Sequence, residues 1–160
     1  MWHSFEASID LPYPVETVFG FFSNAENLPR ITPSNVGFEI LTPTPIEMAE
    51  GTVIDYRIRL SGIPMRWRSL ITVWDPPHEF ADVSLKAPYK SWVHHHHFKA
   101  IDANTTRMVD SVRYQLPLTP LGDIAYPLVK LQVAGIFKYR NQRIPEILSE
   151  EFGALTTAAT

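Results

Sequence analysis

Between Val36 and Leu116 the chain repeats one pattern six times: a short run in which apolar and polar residues alternate, ended by a turn. Alternation with a period of two marks a strand with one buried face. The runs are Val36–Leu41, Thr52–Leu60, Met65–Trp74, Phe80–Leu85, Ser91–Phe98 and Thr106–Leu116. The connections, such as Ser61-Gly62-Ile63-Pro64, Asp75-Pro76-Pro77-His78, Ala87-Pro88 and Asp102-Ala103-Asn104, are rich in turn formers. Parallel neighbours would need long crossovers, usually helical. Connections of this kind therefore make the six strands an antiparallel meander.

A seventh strand opens the chain, with Phe5, Ala7, Ile9 and Leu11 opposed by Ser4, Glu6, Ser8 and Asp10. Pro12 and Pro14 stop it, and Val15, Val18, Phe19 and Phe22 then fall at helical spacing. Ser23-Asn24 can cap a second short helix that ends by Thr32-Pro33. After the meander, Asp123 is a candidate N-cap for one long helix reaching Phe152. Its apolar stripe is Val129, Val133, Phe137, Ile144 and Leu148, with Arg140 set among them. Pro145 predicts a kink near Asn141–Arg143, and residues 153–160 read as a frayed tail.

A sheet with one apolar face needs a cover, and only the last helix is long enough to provide it. The expectation is an α+β domain over residues 1–152, in which about seven curved antiparallel strands wrap that helix and leave a space beside it. At 160 residues, one domain suffices. Apolar content of 45% argues against disorder, and a net charge of −3 gives no reason to expect nucleic acid. Without cysteine there is no thiol catalysis, thiolate metal site or disulfide. No run is long enough to span a membrane and the N-terminus is unlike a signal peptide, so a cytoplasmic location is expected.

The chemistry concentrates in Ser91–Phe98. Period two puts Trp92, His94, His96 and Phe98 on one face and Val93, His95 and His97 on the other. The face bracketed by aromatics is assigned to the interior, where an imidazole needs a polar partner. Closing the Asp102–Asn104 turn sets His96 opposite Asp110, Phe98 opposite Met108 and Trp92 opposite Tyr114. Closing the Ala87–Pro88 turn sets Asp82 opposite His94 and Phe80 opposite His96. Each hairpin brings a carboxylate to an inward histidine. Around Ser61–Pro64, the expected pairs are Ile58 with Trp67, Tyr56 with Ser69 and Ile54 with Ile71. That leaves Arg57, Arg59, Arg66 and Arg68 as a solvated outer stripe.

These residues resemble a known family. The carriers of the likeness include Pro14-Val15-Glu16-Thr17-Val18-Phe19, Asn27-Leu28, Ile31-Thr32-Pro33, Gly51-Thr52-Val53-Ile54-Asp55-Tyr56 and Gly62-Ile63-Pro64-Met65-Arg66-Trp67. They continue through Trp74-Asp75-Pro76-Pro77, Trp92-Val93-His94-His95-His96, Asp110-Ser111-Val112-Arg113-Tyr114 and Phe137-Lys138-Tyr139-Arg140. The chain resembles the helix-grip SRPBCC superfamily of START domains, birch-pollen-type allergens and aromatic polyketide cyclases, and within it the bacterial ligand-binding group. The resemblance implies a cavity for a small hydrophobic or amphipathic molecule, no cofactor, and room for a homodimer or an epimerase-like partner protein.

Three readings of the inward polar groups stay open: a satisfied network that fixes strand register, recognition of a ligand's polar end, or catalysis with His96–Asp110 as general acid/base. The candidate ligand-binding residues are His94, His96, Asp82, Asp110, Trp92, Tyr114, Tyr56, Trp67, Ile58, Met108 and Phe137. Two histidines and a carboxylate can hold iron or zinc, but the inferred pairs already engage the carboxylates, so no metal is assigned. Access is expected near Gly62–Pro64, Ala87–Pro88 and Pro117–Asp123.

Overall fold

In the computed structural model, which describes residues 1–153, seven strands form a single antiparallel sheet and one long helix lies across it. The order along the chain is β1 (Trp2–Leu11), α1 (Val15–Phe22), a 3-10 segment (Ala25–Ile31), β2 (Glu39–Ile40), β3 (Val53–Leu60), β4 (Ile63–Asp75), β5 (Glu79–Lys86), β6 (Ser91–Asp102) and β7 (Thr105–Gln115). A second 3-10 segment (Leu121–Ala125) leads into α2 (Tyr126–Phe152). Strand order across the sheet is β1-β7-β6-β5-β4-β3-β2, so the meander is consecutive and only β1 is added out of sequence. This is the helix-grip arrangement. The expected tail beyond Gly153 lies outside the described residues.

Two hairpins take the predicted register: His96 pairs with Asp110 and Trp92 with Tyr114, while Asp82 pairs with His94 and Phe80 with His96. The β3–β4 hairpin differs. Tyr56 lies opposite Trp67 and Ile58 opposite Met65, two residues from the expected pairing. The cause is the turn, which is tighter than Ser61–Pro64. Leu60 pairs directly with Ile63, and Ser61 and Gly62 take φ of 51° and 79°, as a two-residue turn with both centres left-handed requires. A shift of two preserves the faces, so Ile54, Ile58 and Trp67 remain inside and Arg59, Arg66 and Arg68 outside.

The strand expected over Val36–Leu41 shrinks to Glu39–Ile40. Asp123 is not the cap of α2, whose first turn begins three residues later at Tyr126. Its carboxylate instead accepts a hydrogen bond from buried His3 on β1 at 3.2 Å and lies 3.5 Å from the chain's amino terminus. That contact ties the start of β1 to the approach of α2. The helix continues through Pro145 to Phe152, so the proline does not end it.

The core is unevenly filled. At one end Leu11, Val18, Phe19, Phe22, Phe80, Phe98, Met108, Ile144 and Leu148 pack as a solid cluster beneath α1 and the last turns of α2. Toward the first turns of α2, Val112, Tyr114, Val133 and Phe137 form a second cluster and Val36, Ile58 and Trp67 a third. The space between these clusters is not closed.

Candidate functional site

A cavity of about 170 Å³ lies between the concave face of the sheet and α2. Its apolar wall includes Ile54, Ile58, Trp67, Trp92, Val133 and Phe137, and half-buried Phe38, Met48, Leu60, Tyr89 and Ile136 belong to its outer part. The polar part is Tyr56, Ser69, Asp82, His94, His96 and Arg140. An apolar cavity of roughly 150 Å³ accommodates benzene, so the space suits a small ring system. Leu60 and Tyr89 stand beside two of the expected entry turns. No residue from Pro117–Asp123 lines the cavity, so that loop is not part of it.

The polar groups run as one track across the sheet, each strand from β3 to β7 supplying a member. Tyr56 Oη lies 3.3 Å from Ser69 Oγ, and Ser69 Oγ donates to Asp82 Oδ2 at 3.2 Å. Asp82 Oδ1 is 3.7 Å from His96 Nε2. Asp110 Oδ1 receives His94 Nε2 at 2.7 Å and has His96 Nδ1 at 3.1 Å, the latter an ion-pair contact without hydrogen-bond alignment. The two imidazole rings are tilted by 31° with centroids 3.8 Å apart, and Phe80 stacks on His96 at 4.1 Å.

The pairing differs in detail from the sequence expectation. Asp82 is opposite His94 in register but reaches diagonally to His96, while His94 turns to Asp110. Diagonal neighbours lie within reach of long or aromatic side chains, so register alone does not settle the partner. Three expected cavity residues do not line it. Asp110 is 2% exposed and sits behind the histidines, while Met108 and Tyr114 are fully enclosed in the flanking clusters. Trp92, Tyr56, Trp67, Ile58, Phe137, Asp82, His94 and His96 all border the space.

Arg140 is the site member the sequence did not single out. It is 7% exposed, its guanidinium lies 5.1 Å from the Phe137 ring centroid, and Nη2 is 4.0 Å from Asp110 Oδ1. Its Nε and Nη2 meet no acceptor, and Trp67 Nε1 is likewise unpaired. An unmet buried donor costs about 1–3 kcal/mol, so these three are a local cost of packing Arg140 and Trp67 beside the cavity. The available signal was a lone charge on the apolar stripe of a helix. Ser69 was legible only as an inward position.

The environment separates the two histidines. Burial, together with the positive charge of His96, pushes His94 down to about 4, against the pull of Asp110. Burial also opposes the charge on His96, but its contacts with Asp110 and Asp82 overcome that and raise it. Burial alone would raise Asp110; the Arg140 charge and both histidines instead hold it well below the usual carboxylate range. Asp82 is lowered in the same way, chiefly through His96 acting against its burial. Between about pH 4 and the raised range of His96, two carboxylates thus face one imidazolium and one guanidinium, with His94 neutral. A neutral ring donating from Nε2 keeps its lone pair on Nδ1. Burial and the Asp82 charge hold the Tyr56 phenol protonated. Asp82, His94 and His96 also have ligand atoms within 4.8 Å of one another, though Ser69 and Asp110 already engage the set.

A curved sheet gripping a terminal helix, with an apolar cavity and an internal polar track, defines a helix-grip domain. The chain belongs to the polyketide cyclase / dehydrase and lipid transport family, whose sequence profile matches residues 11–134, and thereby to the SRPBCC superfamily. No curated protein sequence is significantly similar to it. Among solved structures, an aromatase/cyclase from Streptomyces sp. R1128 matches with a TM-score of 0.77 at 15% identity, over 99% of this chain and 100% of that one. Norcoclaurine synthase from Thalictrum flavum matches at 0.68 and 14%, over 94% and 88%. A START superfamily protein from Mycobacterium smegmatis matches at 0.69 and 12%, over 91% and 99%. At such identities the likenesses bear on the fold alone. No helix among the described residues is long and apolar enough to cross a membrane.

Proposed function

We propose that the protein binds a small, largely apolar molecule bearing one or two oxygen atoms, as a carrier or sensor rather than a catalyst. The observation that carries this reading is the division of the cavity wall: Ile58, Trp67, Trp92 and Phe137 on the apolar side, His94, His96, Asp82 and Arg140 on the other. A pocket of this kind buries a ligand's body against aromatics and orients it with a few polar groups. The Arg140 charge at the cavity wall favours an acceptor oxygen at the polar end. Asp110 serves from behind, holding both imidazoles in place. The family's description, polyketide cyclase / dehydrase and lipid transport, covers this reading and the catalytic one alike.

The direct test is titration with 2-naphthol, an apolar bicycle with one hydroxyl, followed by quenching of the Trp67 and Trp92 fluorescence. Saturable 1:1 binding that disappears in the cavity-filling variant Ile58→Trp supports the reading. Binding that is unchanged by the filling would remove it.

One observation favours a second reading. The imidazoles of His94 and His96 border the same cavity with centroids 3.8 Å apart. A base and an acid so placed could serve a cyclase/dehydratase-like reaction: one ring takes a C–H proton beside a carbonyl, the other gives a proton to a departing hydroxyl, and water leaves. The aromatase/cyclase among the structural neighbours is consistent with that chemistry. His96→Gln separates the readings, because glutamine keeps a hydrogen-bonding group but transfers no proton. Turnover lost with binding kept would favour the enzyme.

A further inference from the structure

The four consecutive histidines of β6 are divided by the sheet, and the outward pair has its own partner. His95 and His97 project from the convex face with rings nearly parallel, 9° between planes and 5.7 Å between centroids. Glu79 on β5 is paired with His97 in register, and its Oε2 lies 3.3 Å from His97 Nδ1. Ligand atoms of all three lie within 4.8 Å of one another. A tetrahedral zinc site with bonds near 2.0–2.1 Å needs donors about 3.3 Å apart, so the three side chains would draw together by up to about 1.5 Å on binding. Beyond His95, Ser111 on β7 is its registered neighbour and donates to Glu6 of β1 at 3.3 Å, placing a second carboxylate nearby on the same face.

We propose that Glu79, His95 and His97 form a surface site for a zinc-class divalent ion. Two imidazole nitrogens and one carboxylate oxygen suit zinc, copper or nickel, and supply too little oxygen for calcium or magnesium. The coordination position facing solvent is filled by water. The ladder does the preorganising: alternation fixes the histidines on one side of β6, and direct pairing fixes the glutamate across from one of them. The bound ion joins β5 to β6 on the reverse side of the residues that carry Phe80, Asp82, His94 and His96. It therefore clamps the register on which the inner polar track depends. The site is independent of what the cavity binds.

The test uses the full chain without a purification tag, stripped with EDTA and titrated with Zn²⁺ in competition with a chromophoric chelator. One zinc per chain at micromolar or tighter affinity is expected, with a higher melting temperature when loaded. The double variant His95→Asn/His97→Asn should lose affinity by about tenfold or more, since even losing a supporting partner of a metal ligand costs 10–100-fold. Circular dichroism of the metal-free variant should match the parent, because His97 is exposed and His95 half-buried on the convex face, outside the core. Anomalous scattering at the zinc edge should place the ion among the three residues. Absence of stoichiometric binding overturns the proposal. So does binding that survives the double variant but is lost in Asp82→Asn, which would put the ion on the inner face.

Discussion

His94 and His96 reach the same oxygen of Asp110, at 2.7 and 3.1 Å, from two positions on one face of β6. Sharing one anion sets them against each other. Buried in contact, both rings cannot easily be charged, and the second carboxylate, Asp82, makes its ion-pair contact with His96. The asymmetry of the acids decides which ring keeps the proton.

That asymmetry is measurable by NMR of the imidazoles in EDTA. His96 should titrate above an ordinary histidine and His94 near 4. Stability follows with opposite signs. The His96 contribution is complete below its unfolded value of about 6.5 and is lost as pH rises through its raised native value. His94 acts on the acid side: its lowered native value costs stability as pH falls from about 6.5 to about 4, on the order of 3 kcal/mol in total. Urea unfolding of His94→Asn across that window should show a shallower acid-side loss than the parent. An equal slope would mean that His94 is not the group responsible.

Asp110→Asn should be the most damaging single change in the site. It leaves an imidazolium and a guanidinium in a dry interior without their counter-charge, and breaking such a set costs roughly 3–5 kcal/mol. Asp82→Asn should cost less, because Asp82 is partly open to the cavity and its amide could still accept from Ser69. Denaturant midpoints of the two variants give the ranking.

Gly62 should be intolerant of a side chain for conformational reasons only. Its φ is 79°, and an added Cβ would meet nothing within 4 Å. Gly62→Ala should therefore cost about 1 kcal/mol through backbone strain. Gly122→Ala tests a different mechanism, since its Cβ would fall 1.8 Å from the Pro117 carbonyl oxygen. The loop leading to α2 would have to move, and a larger loss in thermal unfolding is expected there.

Arg140→Met should weaken 2-naphthol binding while leaving the fold intact, because the methionine fills similar apolar space but offers no donor. The same change removes two unpaired buried donors and one charge neighbour of Asp110, effects that oppose each other in stability. A binding constant unchanged by the substitution would show that the ligand's oxygen is met elsewhere.

The fold was legible because alternation and turn residues agree along the whole meander. At Asp102–Asn104 a register shift between Ala100 and Asp102 separates the closing pair from the strand, yet the expected register holds beyond it, and with it the approach of Asp110 to His96. At Ser61–Pro64 two closures preserve the same faces, and only the left-handed backbone of Ser61 and Gly62 separates them. Side-chain direction was less accessible. Register puts Asp82 beside His94, yet a carboxylate leaning diagonally finds the more basic ring. Met108 and Tyr114 face inward as the pattern requires, but facing inward does not distinguish the solid part of a core from its hollow part. Arg140 was hidden because helical periodicity reads it as one more stripe position, and only packing shows that its donors are unmet.

The most direct measurement is native mass spectrometry of the protein purified from its own host, followed by organic extraction and identification of whatever is released. The expected result is a chain carrying one small, mostly apolar molecule with an oxygen at one end, absent from the Ile58→Trp variant. A parent chain that is bare at every preparation, and that takes up no such molecule when supplied, would contradict it.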